Sequence, residues 1–257
     1  MPIRKTVEIS SNATASDKLS EVYTTLSWIK TRETFRRALS LRATPNRGRN
    51  RAMKTDRDTL TILAGRFWVF DLDGTLTVPV HDFAVIRADL GVPDGVDILG
   101  YVASRPEEEG RLLVERLERI ERELTARTAA APGARKLVEA LSRRDCRLGI
   151  LTRNTREIAF LTLAHIGLAG FFASEDILGR NEARPKPEAD GLHKLAGLWK
   201  VAPEELIMVG DYVHDLQAGQ AAGAATIHVY GNRGRRWPEW TDLHFESLVE
   251  LADGIPR

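Results

Sequence analysis

The 257-residue sequence holds a single cysteine, Cys146, so no intrachain disulfide framework can form. It has no run of about 18 apolar residues, which argues against a membrane-spanning helix. The first residues lack the apolar centre of a secretory signal. A soluble, reducing, cytoplasmic setting is the expectation from these absences. Net charge is also missing: 37 Lys and Arg against 36 Asp and Glu leave a formal +1. That balance gives no global case for nucleic acid or a membrane surface as partner. No GxxxxGK[ST] occurs, so ATP use through a P-loop has no support. Internal repeats and long low-complexity tracts are absent as well.

What is present is an ordinary globular balance, 43% hydrophobic and 28% charged, sufficient for one large domain or a core with an insertion. The near-neutral total conceals an asymmetry. Residues 1–57 carry 13 Lys/Arg against 5 Asp/Glu, a net of +8, and the remainder a net of −7. Residues 1–58 are rich in Ser, Thr and Arg, with one short helical spacing through Leu19, Val22, Tyr23, Leu26 and Ile29 and a basic linker over 44–51. The expected reading of 1–58 is a disordered basic extension. Two alternatives stand beside it: translation starting at Met53, and organelle targeting by residues 1–52, which their four acidic residues weaken. Nucleic-acid binding by this segment is a weaker idea still.

From Phe67 onward the pattern alternates between strand and helix. Phe67-Trp68-Val69-Phe70 is a short apolar run, as expected of a buried parallel strand. Helical spacing follows Pro132-Gly133 through Leu137, Val138 and Leu141, and Cys146 precedes a second strand over 147–151, where it reads as a small core hydrophobe. A helix through Ile158, Leu161, Leu163 and Ile166 stops at Gly167. A weaker strand over 172–178, a helix through Leu192, Leu195, Ala196 and Leu198, a strand over 206–209, a helix over 216–222 and a strand over 226–229 complete the series. Such alternation predicts βαβ units, an α/β fold with a Rossmann-like parallel sheet. It lapses between 77 and 132, where two helices are expected, one through Phe83, Ile86 and Leu90 and one through Leu113, Leu117, Ile120 and Leu124. The expected organisation is therefore a core over 59–77 and 132–257 with a small helical cap, 78–131, inserted after the first strand.

The residues suited to chemistry gather at predicted strand ends. Asp71-Leu72-Asp73-Gly74-Thr75-Leu76-Thr77 places two carboxylates two residues apart, where they repel unless a cation or a proton intervenes. The Gly-Thr step lets the chain turn and offer backbone N–H groups to an anion. Asp-Gly as a mere turn explains only the middle of that run. Thr152 ends the second strand, Lys186 lies between Pro185 and Pro187, and Asp211 and Asp215 follow the strand over 206–209. Each has a plain alternative: helix capping for Thr152, a solvated loop for Lys186, and turn or N-cap roles for the two aspartates. In an open parallel sheet, ligands bind outside the carboxyl ends of strands, where Asp71, Thr152 and Asp211 are all placed.

In this order the four segments resemble the motifs of the haloacid dehalogenase-like hydrolase superfamily. The likeness is to its phosphoglycolate phosphatase-type branch, and it covers about residues 65–252, including 241–251 but not the basic segment. The resemblance implies a phosphatase acting on a small organic phosphate monoester, phosphoglycolate-like or a sugar phosphate. It implies Asp71 as nucleophile forming an aspartyl-phosphate and Asp73 as general acid and base. Mg2+ would be held by Asp71, the Asp73 backbone carbonyl, Asp211 and Asp215. Thr152 and Lys186 would hold the phosphoryl group, Arg153 and Asn154 the pocket rim, and Leu72 and Leu76 would be core residues. The dehalogenase branch lacks an aspartate where Asp73 stands, which favours phosphoryl transfer. A phosphomutase and a non-catalytic phosphate-binding module remain as alternatives. The partner implied is a small phosphorylated metabolite, with the cap choosing it. His81, Asp82 and Arg87 on the first cap helix are expected on a solvated face. Trp237 and Trp240 are expected either at a recognition edge or packed on the sheet flank.

Overall fold

The computed structural model describes residues 56–229 and 235–256. The extension expected over 1–58, with its alternatives at Met53 and over 1–52, lies outside the described residues except for its last three positions. These belong to helix α1 (Asp56–Leu63). Leu63 at the end of this helix is buried in the core and anchors it there.

Six parallel strands form one sheet: β1 (Phe67–Phe70), β2 (Arg147–Leu151), β3 (Ile177–Leu178), β4 (Leu206–Gly210), β5 (Ala225–Val229) and β6 (Leu243–Phe245), in the order β3-β2-β1-β4-β5-β6. β1 is central, with Phe67 opposite Arg147 on one side and Leu206 on the other. The expected strand over 172–178 shrinks to Ile177–Leu178 and follows two 3-10 turns, Ala169–Phe171 and Ser174–Asp176. Asp176 explains part of this. Its buried carboxylate is taken by Arg147 Nε at 3.0 Å and Trp199 Nε1 at 2.8 Å, which a regular strand running into β3 would not present.

Side chains alternate across the sheet as the two-residue period of a strand requires. Trp68, Phe70, Ile150, Val209 and Ile227 face one layer, with α5 (Ala134–Ser142), α6 (Arg156–His165) and α9 (Leu248–Gly254). Val69, Leu151, Leu206 and Met208 face the other, with α7 (Asp190–Trp199) and α8 (Val213–Ala222). Trp68, Val69 and Phe70 are wholly buried, and side chains of this size contribute roughly 1.5–3 kcal/mol each on burial. The Trp68 indole keeps its polar atom paired by donating to Gly65 O at 2.9 Å. Cys146 is half-buried against the first of these layers, close to the role read from its position.

Between residues 77 and 132 lie three helices where periodicity gave two: α2 (Phe83–Leu90), α3 (Ile98–Ala103) and α4 (Glu107–Thr125). At six residues α3 is too short to show a helical period; its sequence signal is Asp97, whose side chain caps it by accepting from Gly100 N at 2.8 Å. Ile86, Leu90, Val92 and Leu117 form a small core between α2 and α4, and Ile98, Leu99 and Tyr101 of α3 pack against it. The chain enters and leaves this insertion through paired backbone, with Val78 N donating to Ala129 O and Ala131 N to Leu76 O. No helix among the described residues is long and apolar enough to cross a membrane.

Candidate active site

β1, β2 and β4 end side by side, and the segments that follow them converge. After β1 the chain makes a single wide turn, Leu72–Leu76, in which Gly74 adopts φ 95°, a conformation that a residue with a Cβ rarely takes. This turn places the Asp71 and Asp73 side chains and the Thr75 hydroxyl at the sheet edge. Thr75 Oγ1 lies 3.1 Å from Asp71 Oδ2 and 3.3 Å from Asp211 Oδ1, so one hydroxyl proton serves two carboxylates in turn.

Lys186 is 2% exposed, not a solvated loop lysine. Its Nζ donates to Asp71 Oδ1 at 2.6 Å and lies 2.7 Å from Asp215 Oδ1. Asp215 Oδ2 also accepts from Tyr212 N at 3.0 Å, so the turn role considered for it is real but accounts for only one of its oxygens. Asp71, Asp211 and Asp215 form a buried group in which one carboxylate oxygen from each lies within 4.8 Å of the others. One lysine cannot neutralise three carboxylates, and the all-oxygen donor set suits a hard divalent cation such as Mg2+. The Asp73 side chain is not part of that group. It accepts instead from Asn154 Nδ2 at 2.7 Å.

Burial pushes the Asp71 carboxyl above its ordinary range, opposed by Lys186 and reinforced by Asp215. Burial likewise raises Asp73. For Lys186 the two aspartates outweigh burial and hold the ammonium above its usual value.

Thr152 is buried at the end of β2, and its Oγ1 accepts from Asn154 N at 3.0 Å. The cap of α6 is Thr155, which accepts from Ile158 N, so helix capping does not explain Thr152. Arg153 points elsewhere. Its guanidinium reaches Asp97 at the start of α3 and donates to His214 Nδ1 at 2.7 Å, bridging insertion and core. Burial, with Arg153 beside it, pushes His214 down to about 4, so the neutral ring accepts that bond. Asp82 caps α2 and Arg87 donates to backbone carbonyls, while His81 is half-buried beside Asp73. Trp237 packs on Tyr212 and His228, with ring centroids 5.3 Å apart in each case.

Two residues that sequence reasoning passed over complete the surroundings. Glu121 of α4 and Arg180 after β3 are both buried, and Arg180 Nη1 donates to Glu121 Oε1 and Oε2 at 2.9 Å each. Burial lifts Glu121 to about 7 against the pull of Arg180. The signal was available: Glu121 lies four residues after Leu117 and three before Leu124, an acid on the apolar side of its helix.

A family model for haloacid dehalogenase-like hydrolases matches residues 68–223. A haloacid dehalogenase-like hydrolase domain-containing protein of Arabidopsis thaliana is 34% identical over 184 residues, covering 66% of this chain and 73% of that one. A phosphoglycolate phosphatase of Chromobacterium violaceum is 29% identical over 208 residues, covering 72% and 93%. Among solved structures, a haloacid dehalogenase-type hydrolase of Bacillus subtilis bound to magnesium shares the fold. Its TM-score is 0.55 at 19% identity, covering 76% of this chain and all of that one. Sheet order, the carboxylate cluster at the sheet edge and these matches agree: the chain belongs to the haloacid dehalogenase-like hydrolase family.

Proposed function

We propose that the protein is a Mg2+-dependent phosphatase that hydrolyses a small organic phosphate monoester through an aspartyl-phosphate on Asp71. The observation that carries this reading is the setting of the Asp71 carboxylate. It is held by Lys186 and Thr75, and it adjoins Asp211 and Asp215, with Asp73 two residues away on the same turn. A carboxylate fixed in this way is a positioned nucleophile beside a positive charge.

In the first step an Asp71 oxygen forms a bond to phosphorus as the ester P–O bond breaks, and Asp73 gives its proton to the departing alkoxide. In the second, Asp73 takes a proton from water, whose oxygen attacks the acyl-phosphate and restores the Asp71 carboxylate. Asn154, donating to Asp73 Oδ2, holds that carboxyl in one orientation through both steps. Lys186 balances charge on the nucleophile and the transferring group, and the Thr152 hydroxyl offers a proton to a phosphoryl oxygen. Asp71, Asp211, Asp215 and the Asp73 carbonyl would hold Mg2+, which when bound supplies positive charge to the phosphoryl oxygens. The magnesium-bound Bacillus neighbour and the phosphatase-named relative support the reading.

Asp71→Asn tests it. Released phosphate should be lost from a folded variant in the presence of Mg2+, and undiminished turnover would refute the mechanism.

A further inference from the structure

The segments that follow β2 and β3 continue side by side beyond the strands. Thr152 N donates to Leu178 O at 3.0 Å, and Arg180 N donates to Asn154 O at 2.9 Å. The Arg180 side chain then turns back on the same loop. Its Nη1 donates to Arg153 O at 3.2 Å and to both carboxylate oxygens of Glu121 on α4 at 2.9 Å. One hydrogen of this NH2 group is shared between the carboxylate oxygens while the other meets the carbonyl. Nη2 reaches Glu118 Oε1 at 3.5 Å.

Arg180 therefore holds the two consecutive carbonyls that flank the Asn154 Cα. The peptide unit between Arg153 and Asn154 is gripped on both sides, its carbonyl by Arg180 and its N–H by Thr152 Oγ1 at 3.0 Å. Peptide units are planar, so fixing both neighbours of one Cα also fixes the direction of its Cα–Cβ bond. The Asn154 side chain leaves in that direction and ends at Asp73 Oδ2, 2.7 Å from its Nδ2.

Arg180 and Glu121 are both buried. Buried ion pairs can often be exchanged for apolar residues of similar volume without loss of stability. Stability alone thus gives no reason for a guanidinium at this position. A planar donor that reaches a carboxylate and a backbone carbonyl at once gives a geometric one.

We infer that Arg180 is a positioning residue: anchored by Glu121, it fixes the loop 152–154 and through Asn154 sets the direction of the Asp73 carboxyl. The inference rests on the phosphatase reading, in which Asp73 protonates the departing oxygen.

The test compares sn-glycerol 3-phosphate, whose alkoxide needs a proton to leave, with p-nitrophenyl phosphate, whose phenolate leaves with little help. With the full-length protein and Mg2+, Asp73→Asn sets the scale: kcat/KM should fall far more for the alkyl ester than for the aryl one. Arg180→Met should show the same bias, about ten-fold, because the proton donor is displaced rather than lost. The bias is a ratio taken on one preparation, so it does not depend on how much of a variant is folded. A bare Glu121 carboxylate in that variant would also act on Asp73 through its charge. Arg180→Met combined with Glu121→Leu removes both charges, and the bias should persist. An equal loss on both esters in Arg180→Met, or the parent's ratio in the double variant, would overturn the inference. If Asp73→Asn keeps its bias under those outcomes, the phosphatase reading stands and only the role of Arg180 falls. No bias in Asp73→Asn, or no Asp71-dependent turnover of either ester, would overturn both.

Discussion

Arg180 donates through one nitrogen, Nη1, to both carboxylate oxygens of Glu121, joining the loop after β3 to the longest helix of the insertion across a buried contact. Arg122 to Glu157 and the paired hydroxyls of Thr125 and Thr162 support the same seam from its flank. A charged group at such a position makes the contact between α4 and the sheet layer sensitive to protonation.

The sign follows from Glu121. Its carboxyl is lifted from 4.5 to about 7 in the folded protein, so between those values the folded chain holds a proton that the unfolded chain has released. Stability should therefore fall as pH rises from 4.5 to 7 and level off above, by on the order of 3 kcal/mol. Asp71 and Asp73 shift in the same direction, so the measurement is a difference. Urea unfolding of the parent and of Glu121→Gln across that window should give diverging profiles. Parallel ones would show that Glu121 ionises normally.

Lys186→Met leaves Asp71 and Asp215 buried without the ammonium between them. Removing one partner of a buried ion pair typically costs about 3–5 kcal/mol. Phosphate release should collapse as well. Chemical denaturation and turnover, measured with and without Mg2+, check both parts. Stability close to the parent would mean that the two aspartates do not need this lysine.

Gly210 ends β4, and a Cβ there would stand 2.3 Å from both Cβ and Oδ2 of Asp215. Gly210→Ala must therefore push Asp215 off the carboxylate cluster while leaving the strand's own pairing to β1 and β5 in place. The expected signature is a requirement for about 10–100-fold more Mg2+ at half-maximal activity. An unchanged Mg2+ titration would remove Asp215 from the metal's surroundings.

Asp97 performs two tasks, capping α3 and receiving Arg153. Asp97→Ala should cost about 1 kcal/mol through the lost cap, and Asp97→Ser should recover most of it. Neither variant keeps the ion pair, so KM for a phosphate ester should rise in both. A KM that recovers with Ser would assign the whole effect to the helix cap.

Asp71, Asp211 and Asp215 were legible in the sequence because each follows a strongly patterned strand, and strand ends in a parallel sheet meet by construction, whereas Lys186 stood out only by its place between Pro185 and Pro187. The structure brings those four together. Arg153 was expected at the pocket rim beside Asn154, yet its guanidinium is drawn to Asp97 and His214. That direction depends on where α3 sits, and α3 is too short to announce itself by period. Glu121 and Arg180 stayed hidden because their pairing is a long-range packing fact; in sequence one is a charge on a highly charged helix and the other a loop arginine. The shortened third strand was likewise decided by tertiary partners of Asp176.

β1 is only four residues long, yet it is bonded to a strand on both sides, and its pairing extends one residue further through Asp71 N to Val209 O at 2.9 Å. The amide of the proposed nucleophile thus belongs to the most enclosed ladder of the sheet. Amide protons in such places exchange with solvent only when the whole domain opens. Fraying of the edge strands or lifting of the helical insertion can proceed without unseating Asp71, so the chemistry is anchored in the part of the chain that is last to let go.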